Sequence, residues 1–283
     1  MVNQQRAKGE RFRRLHTDSG TFLAPNAWNA GSARMLEAAG FPALSTTSGG
    51  IALSLGLPDY ENRLGRQEMM TRIGRIARAV DVPVSADLEG GYGPRPEDVA
   101  ETIRQSVSVG VVGGNIDDYT GQAREPLFDV ELAVERIQAA REAADKTTIP
   151  YTLTARTDCY LCGRADPLRE AVSRANRYHG AGADCIFVPG VVDHAEIVAL
   201  VQEIEAPINV VVGFAGQPMT VQELAILGVK RISIGGSLAR ATFALIRHAA
   251  EEMMTKGTFS FAEHQLSDAE LSSFFGSWTE KVA

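Results

Sequence analysis

One short segment, S-A-D-L-E-G-G-Y-G at residues 85–93, concentrates side chains that could do chemistry. Asp87 and Glu89 are separated by one residue at the end of a predicted strand. Alternate residues of a strand point to the same face, so the two carboxylates can converge on one point, and the following glycines let the backbone approach a ligand. Two carboxylates are oxygen ligands suited to Mg²⁺ or Mn²⁺ that keeps several waters. The segment therefore predicts a divalent-cation site at Asp87 and Glu89.

A third carboxylate follows the next predicted strand along the chain. That strand ends in N-I-D-D-Y at residues 115–119, which supplies Asp117 or Asp118. An acidic residue after a strand is also a common cap of a turn or helix, and this interpretation would suffice for a single acidic pair. Acidic groups at two successive strand ends favour the metal site instead.

Two further segments offer groups that could hold and orient a small acid. In S-T-T-S-G-G-I at residues 45–51, small hydroxyl residues run into two glycines and leave backbone N–H groups uncovered, as in a carboxylate or oxyanion cradle. Ordinary turns have the same composition, so this pattern is weak alone. In G-L-P-D at residues 56–59, Asp59 stands where it can orient a metal-bound water.

Arg156 ends the fifth predicted strand, in A-R-T-D at residues 155–158. A guanidinium at the mouth of the site offers a planar, permanently charged clamp for a carboxylate or phosphonate. The alternative is a structural ion pair with one of the neighbouring acids, and the sequence leaves both open. Cys159 and Cys162 follow directly, but without a second pair of ligands they are interpreted as ordinary thiols in a loop.

The elements that must position these residues alternate between helix and strand. Eight β-branched runs are predicted strands, and helix-length segments with apolar residues at three- and four-residue spacing separate most of them. The segments that contain the strands are 21–25, 38–50, 83–87, 109–118, 151–156, 180–190, 207–213 and 227–236. The helices are predicted at 69–80, 97–109, 130–144, 167–179, 194–204 and 220–227.

Strands that alternate with helices form a parallel sheet with right-handed crossovers, and a chain of this length predicts a closed (β/α)8 TIM-type barrel. A doubly wound open sheet is the alternative, but no G-x-G-x-x-G follows a strand. Four glycines that precede strands are predicted left-handed helix caps: Gly40, Gly110, Gly182 and Gly228. In a barrel, residues just past the carboxyl ends of the strands face the active-site end, where the acidic segments belong.

The composition excludes several classes of protein. Of the 283 residues, 45% are hydrophobic and 22% are charged, which predicts a folded core. The net charge of -7 argues against a nucleic acid or an anionic membrane as the main partner. We find no apolar run long enough to span a membrane and no signal peptide at the start. Three cysteines make no disulfide framework, so a reducing cytoplasm is the expected location.

The end of the chain differs from the rest, and we divide the sequence into a barrel domain at 1–257 and a helical tail at 258–283. The tail contains a helix predicted near 267–275 and five aromatic residues: Phe259, Phe261, Phe274, Phe275 and Trp278. A finished barrel leaves such side chains in need of a cover, which is either the same barrel or, as we favour, a neighbouring subunit.

Together the motifs resemble the isocitrate lyase and phosphoenolpyruvate mutase superfamily over about residues 10–257. The resemblance lies in N-A-W-N-A-G-S-A (26–33), T-T-S-G-G-I-A-L-S-L-G-L-P-D (46–59), A-D-L-E-G-G-Y-G (86–93), N-I-D-D (115–118), A-R-T-D (155–158) and G-V-K-R-I-S-I-G-G-S-L-A-R-A (228–241). Proteins of this superfamily are (β/α)8 barrels whose last helix exchanges between subunits of a dimer or tetramer. They bind Mg²⁺ and act on small 2-oxo or 2-hydroxy acids through an enolate of pyruvate type.

The resemblance also implies roles for individual residues. Asp87 matches the main metal-site aspartate, and Glu89 matches the second acid of the D-x-D pattern. Asp117 stands where the family usually has the longer Glu, so it is expected to reach a metal through water. Asp59 matches the outer-sphere acid. The substrate's oxygens are expected at the loop of Thr47, Ser48 and Gly49, and Arg156 matches the arginine near the leaving portion.

Departures from the family pattern narrow the expected reaction. The K-K-C-G-H signature of the isocitrate and methylisocitrate lyases is missing. The segment at 118–129 is too short for the gating loop of the phosphonate mutases, and V-P-G (188–190) replaces their histidine. Neither isocitrate lyase activity nor phosphoenolpyruvate mutase activity is therefore expected. With no histidine after a predicted strand to act as general base, a reaction with little proton transfer is favoured.

The sequence thus predicts a Mg²⁺-dependent lyase that breaks a carbon–carbon bond of a small 2-oxo or 2-hydroxy dicarboxylic acid, by retro-aldol cleavage or decarboxylation. A hydrolase or mutase acting on the P–C bond of a phosphonopyruvate-type acid is the first alternative. A non-catalytic barrel that binds a metabolite is the second. We expect a homodimer or homotetramer that binds no nucleic acid and no membrane.

Overall fold

The computed structural model of the chain describes residues 2–59, 64–214 and 219–276. Over these ranges nine parallel strands form one sheet, and most consecutive strands are separated by helices. The strands are β1 (Phe22–Leu23), β2 (Asn26–Ala27), β3 (Leu44–Thr46), β4 (Val84–Asp87), β5 (Gly113–Asp117), β6 (Thr152–Arg156), β7 (Cys185–Phe187), β8 (Ile208–Val211) and β9 (Arg231–Ser233). The helices are α1 (Val2–Thr17), α2 (Ala30–Ala38), α3 (Ser48–Ser54), α4 (Arg66–Ala79), α5 (Pro96–Ser108), α6 (Val130–Asp145), α7 (Pro167–Gly180), α8 (His194–Glu203), α9 (Val221–Ile226), α10 (Ser237–Lys256) and α11 (Asp268–Gly276), with a 3-10 helix at Ser260–His264.

The two edges of this sheet meet in one short run of the chain. The spatial order is β1-β9-β8-β7-β6-β5-β4-β3-β2, so β1 and β2, which are consecutive in sequence, lie at opposite edges. Asn26 joins these edges, because its Nδ2 donates to the Thr46 carbonyl at 2.6 Å and its Oδ1 accepts from the Ile234 and Gly235 amides, each at 2.9 Å. The run at residues 22–27 therefore serves as one strand position, and the predicted (β/α)8 TIM-type fold is confirmed.

Left-handed glycines end four of the helices that precede strands. Gly40, Gly110, Gly182 and Gly228 have φ angles of 93°, 104°, 105° and 88°. This region is open to glycine because it lacks a Cβ atom, and it turns the chain from the helix into the next strand. The predicted caps are confirmed.

Helix α1 closes the amino-terminal end of the barrel. Phe12 of this helix is fully buried, and its ring packs edge-on against His16 at 4.7 Å and against Phe22 of β1 at 6.2 Å between centroids. The fit is close, since a Cβ atom added at Gly113, the first residue of β5, would lie 2.8 Å from the Phe12 ring. The carboxyl ends of the strands, which carry the polar residues, thus lie at the opposite end of the barrel.

A second compact unit begins at Ser237. It contains α10, the 3-10 helix and α11, and α11 confirms the helix predicted near 267–275. Several of its apolar side chains are exposed, among them Ile246 at 61%, Met254 at 85% and Phe259 at 64%. Trp278 lies outside the described residues. The division between a barrel at 1–257 and a tail at 258–283 stays a prediction.

Within the described part of the chain, no helix is both long enough and apolar enough to cross a membrane.

The buried histidine of α1 generates a prediction about stability. Burial, and next the charge of Arg231, lower the pKa of His16 to about 3. The ring therefore stays neutral in the folded protein, whereas in the unfolded chain it takes up a proton below the ordinary value of 6.5. The unfolded state binds more protons between these two values, so the stability that His16 contributes is complete above pH 6.5 and is lost as the pH falls.

We expect the difference in free energy of unfolding between the native protein and His16→Asn to change by about 1.4 kcal/mol per pH unit as the pH falls below about 6. Asn keeps a donor for the Phe12 carbonyl, which lies 2.9 Å from Nδ1 of His16, but does not titrate. Urea denaturation of both proteins between about pH 7 and about pH 5 measures this difference. A difference that does not vary with pH would contradict the assignment.

Candidate active site

The predicted site residues lie at the carboxyl ends of three neighbouring strands. Asp87 is the last residue of β4, Asp117 of β5 and Arg156 of β6. In the parallel register Asp87 pairs with Asn115, and Asp117 pairs with Arg156. The strand ends therefore bring these side chains to one edge of the barrel, next to the start of α3.

Hydrogen bonds from two neighbouring elements hold the carboxylate of Asp87. Its Oδ2 accepts from the backbone N–H and the hydroxyl of Ser48, at 2.9 and 2.8 Å, and its Oδ1 accepts from Nδ2 of Asn115 at 3.0 Å. The backbone N–H of Asp87 donates to Oγ1 of Thr46 at 2.9 Å. The orientation of Asp87 is thus set by the chain on both sides of β4.

Asn115 is a site residue to which the sequence analysis assigned no role. Its Nδ2 also donates to Oδ1 of Asp117 at 2.9 Å, so one amide bridges two carboxylates. The clue in the sequence is its place two residues before Asp117, because alternate residues of a strand share a face.

Asp117 and Asp118 point to different sides of β5 and have different partners. Asp118 accepts from the hydroxyl of Tyr178 at 2.8 Å and from the Asp158 amide at 2.9 Å, and it forms an ion pair with Arg174 at 3.4 Å. These contacts fix Asp118 to α7. Of the two candidates left open by the sequence, Asp117 is the one beside Asp87.

Arg156 forms ion pairs with two acids in this structure. Its Nε and Nη2 donate to the two carboxylate oxygens of Asp158 at 2.6 and 2.9 Å, and its Nη1 lies 3.3 Å from Oδ2 of Asp117. Burial opposes the charge of Arg156, but Asp117 and Asp158 outweigh it and raise the pKa of the guanidinium. The structural ion pair considered in the sequence analysis is therefore present, with Asp158 as a partner that the sequence analysis did not name. These contacts use three of the five guanidinium N–H groups.

Glu89 reaches the acidic cluster from beyond the strand. Strand β4 ends at Asp87, and Glu89 has a left-handed φ of 50°, so a turn and not strand alternation sets its direction. Burial, followed by the charges of Asp87, Asp117 and Asp59 in that order of size, raises the pKa of Glu89 to about 8. The carboxylates at 59, 87 and 117 therefore lie within electrostatic range of Glu89.

The acidic cluster has the donor set of a hydrated cation. In the ranges that the structure describes, no three His, Cys, Asp or Glu side chains are close enough together to hold a metal ion directly. Hydrogen bonds and an ion pair already occupy the oxygens of Asp87 and Asp117. A divalent cation that keeps several waters fits such a site better than one enclosed by protein ligands. Its charge would offset the repulsion between Glu89 and the neighbouring carboxylates.

The predicted cradle lies against the same cluster. Thr47 caps α3, since its Oγ1 accepts from the Gly50 amide at 3.2 Å. The Ser48 amide donates to Asp87, as described above. A Cβ atom added at Gly49 would collide with the carboxylate of Asp59, so glycine allows Asp59 to approach the cradle backbone. The structure thus brings together Thr47, Ser48, Gly49 and Asp59 beside Asp87.

The two cysteines after Arg156 are protonated thiols. Cys159 is buried, Cys162 is half-buried, and both are free. Burial raises the pKa of Cys159 to about 12 and that of Cys162 to about 11, so neither is an activated nucleophile at neutral pH.

Comparison with known proteins agrees with this geometry. The sequence model of the phosphoenolpyruvate phosphomutase family matches residues 12–254. A solved structure from Burkholderia cenocepacia J2315 that carries a provisional lyase/mutase assignment is 46% identical and superimposes with a TM-score of 0.94, over 96% of this chain and 98% of that one. The 2-methylisocitrate lyase of Escherichia coli K12 is 29% identical over 88% of this chain and 86% of its own length.

A solved 2,3-dimethylmalate lyase of the same superfamily is 26% identical, with a TM-score of 0.84 over 95% of both chains. The family match covers most of the chain, and it includes every strand of the barrel. The chain therefore belongs to the phosphoenolpyruvate phosphomutase family, within the isocitrate lyase and phosphoenolpyruvate mutase superfamily that its motifs predict.

Proposed function

We propose that this protein is a Mg²⁺-dependent lyase that breaks a carbon–carbon bond of a small 2-oxo or 2-hydroxy dicarboxylic acid, by retro-aldol cleavage or decarboxylation. The observation that carries the proposal is the burial of Glu89 in the company of Asp87, Asp117 and Asp59, which together raise the pKa of Glu89 to about 8. Carboxylates are not buried together without a cation or another strong compensation. Proteins of this superfamily depend on Mg²⁺.

Asp87 and Glu89 would hold the ion, Asp117 would reach it through water, and Asp59 would orient a bound water. Bound Mg²⁺ would supply positive charge that stabilises the oxyanion developing on the substrate as the carbon–carbon bond breaks. Thr47, Ser48 and Gly49 would orient the carboxylate next to the reacting carbon. Arg156 would meet the distal carboxylate with the N–H groups that Asp117 and Asp158 do not use.

The loop after β5 supports a lyase over a mutase with a long gating loop. Tyr119 and Leu127 form an antiparallel bridge, and the Thr120 amide donates to the Pro126 carbonyl at 2.8 Å. The segment is thus folded back on itself as a short hairpin. The carbon–carbon lyases among the relatives, which act on 2-methylisocitrate and 2,3-dimethylmalate, support the same reaction class.

The alternative is hydrolysis or rearrangement of a P–C bond in a phosphonopyruvate-type acid. The match to the phosphoenolpyruvate phosphomutase family supports it, and an arginine fork suits a phosphonate as well as a carboxylate. Release of inorganic phosphate from such a substrate, with no pyruvate formed from the dicarboxylic acids, would favour this alternative.

We also propose that the protein acts in the cytoplasm as a homodimer or homotetramer. All three cysteines are free, as expected in a reducing compartment. The exposed apolar side chains of α10 and the 3-10 helix are the surface that a second copy would cover.

The metal site is tested by removing one charge. Asp87→Asn should lower turnover about 100-fold or more, because several kcal/mol of charge stabilisation depend on the ion. A panel of 2-oxo and 2-hydroxy dicarboxylic acids with Mg²⁺, monitored by pyruvate release, measures turnover, and electron paramagnetic resonance measures Mn²⁺ binding. Asp184→Asn is the matched control, since Asp184 accepts from the Leu153 amide at 2.7 Å at the start of β7, away from the cluster. Wild-type Mn²⁺ binding by Asp87→Asn would contradict the proposal.

The role of Arg156 is tested by comparing substrate binding with metal binding. Arg156→Ala should lower kcat/KM about 30- to 1000-fold, equivalent to roughly 2–4 kcal/mol, and Arg156→Lys should recover only part, because an ammonium lacks the planar fork. Arg174→Lys is the control, since Arg174 pairs with Asp118 and Glu170. If Arg156→Lys weakens Mn²⁺ binding but leaves KM unchanged, Arg156 only neutralises the acids.

The assembly is tested by sedimentation velocity. The intact chain should sediment as a dimer or tetramer, and Ile246→Glu should shift it toward smaller species, because a charge on a covered apolar face is costly. Ile226→Glu is the control, since Ile226 is 81% exposed on α9 of the barrel unit. An intact chain that sediments as a stable monomer would rule the assembly out.

A further inference from the structure

The segment that carries Glu89 is held by hydrogen bonds to all of its carbonyl oxygens. From Leu88 to Pro94 every backbone carbonyl accepts from a donor. In chain order, these donors are the Gly91 amide (3.0 Å), the Asp117 amide (2.9 Å), Nη2 of Arg136, Oγ1 of Thr102 (2.7 Å), Nη2 of Arg66 (3.4 Å), and Nη1 of Arg136 for both Gly93 (2.7 Å) and Pro94 (2.8 Å). A loop with this much bonding behaves as a fixed support.

One side chain, Arg136 of α6, supplies three of these donations. It is 1% exposed and its guanidinium stacks on the ring of Phe128 at 4.0 Å. Within the described residues its polar contacts are the carbonyls of Gly90, Gly93 and Pro94, and no carboxylate pairs with it. A buried cation lowers the stability of the fold unless its N–H donors are hydrogen-bonded. Beneath this loop, the three carbonyls accept from the N–H donors of Arg136.

The loop needs such a support because its backbone is strained. Glu89 and Tyr92, with φ angles of 50° and 59°, are the non-glycine residues with positive φ in the described chain. Side chains disfavour this region, and residues there persist only when their surroundings hold them. The left-handed conformation of Glu89 therefore depends on the contacts that hold the loop.

The glycines of the segment allow neighbouring elements to come close to the loop. A Cβ atom added at Gly90 would lie 3.0 Å from the Tyr119 carbonyl and 3.7 Å from Nη2 of Arg136. At Gly93 it would lie 2.5 Å from the carboxylate of Asp98. The loop thus packs tightly against the Tyr119 carbonyl and against Asp98 of α5.

We propose that Arg136 is a positioning residue of the acidic cluster. Its planar guanidinium fixes the carbonyls of Gly90, Gly93 and Pro94, and thereby keeps Glu89 left-handed with its carboxylate beside Asp87. A lysine has a single ammonium at its tip and cannot span three carbonyls in a plane. This inference rests on the metal site proposed above, in which Glu89 holds the ion.

Two measurements on the full-length protein test the inference. Hydrogen exchange without metal, followed by mass spectrometry, reports on the amides of residues 88–94 and of Asp117, whose N–H donates to the Glu89 carbonyl. Electron paramagnetic resonance reports the dissociation constant of Mn²⁺. The variants are Arg136→Lys and Arg136→Met, and circular dichroism checks that each is folded. If Arg136→Met does not fold, Arg136→Lys decides the question.

Arg141→Lys is the matched control. Arg141 lies on the same helix, its side chain is 17% exposed, and it pairs with Asp145 and Asp184 instead of the loop. We expect Arg136→Lys to speed exchange at Asp117 and in the loop about 10-fold or more and to weaken Mn²⁺ binding about 10- to 100-fold, as for other supports of metal ligands. Arg141→Lys should leave both at wild-type values.

Each other outcome has a defined meaning. Unchanged exchange in Arg136→Lys overturns the inference, because the loop is then held without the arginine. Faster exchange with wild-type Mn²⁺ affinity also overturns the inference, because Arg136 then stabilises the loop without positioning Glu89. If the wild-type protein binds no Mn²⁺, the metal site of the proposed function is refuted instead. Hydrogen exchange at the Asp117 amide then decides whether Arg136 sets the backbone conformation of Glu89.

Discussion

The burial of several carboxylates at one end of the barrel is the constraint on which the rest of the site depends. Parallel strands direct their carboxyl ends to the same edge, so Asp87 of β4 and Asp117 of β5 are brought together by the register itself. Ser48 and Asn115 offset part of the repulsion by donating to Asp87, and Arg156 offsets part by pairing with Asp117. The compensation is incomplete, because the pKa of Glu89 remains raised to about 8. In the function proposed above, a hydrated divalent cation would supply the missing positive charge.

The local part of this arrangement could be read from the sequence, and the long-range part could not. Acidic residues after β-branched runs, and glycines before them, mark the strand ends, because period-two alternation and left-handed caps are properties of a few adjacent residues. Asp158 was also within reach, since it lies two residues after Arg156. Arg136 was not, because its bonds to Gly93 and Pro94 join positions 43 and 42 residues apart and nothing in its own helix distinguishes it from a solvated arginine. For Glu89 the sequence predicted convergence with Asp87 by strand alternation, but β4 ends at Asp87 and a turn with a left-handed φ of 50° sets the direction of Glu89 instead.

The pairing of Arg156 with Asp158 limits how the arginine can meet a ligand. Asp158 is 2% exposed and its two oxygens accept from Nε and Nη2, so a substrate that displaced it would leave a buried carboxylate without its cation. The pair is therefore expected to persist, with the ligand taking N–H groups that Asp158 does not use. Asp117 is the weaker partner, at 3.3 Å and through one nitrogen. An anionic substrate that bound Arg156 would therefore compete with Asp117, the weaker partner. Substrate binding would then change the charge balance of the acidic cluster to which Asp117 belongs.

The two ends of the barrel differ in a way that suits this chemistry. At the amino end, Phe12, His16 and Phe22 exclude water, and Arg231 extends across the interior, where it donates to Oγ of Ser45 at 2.7 Å and to Oγ1 of Thr154 at 3.4 Å. These bonds tie β9 to β3 and β6 beneath the site. Asp87, Asp117 and Arg156 end β4, β5 and β6, which pair with one another in register, so the sheet itself sets their separation. Glu89 stands on a loop and not on a strand, and this loop is bonded to the sheet through the Asp117 amide and to α6 through Arg136, which donates to the carbonyl of the adjacent Gly90.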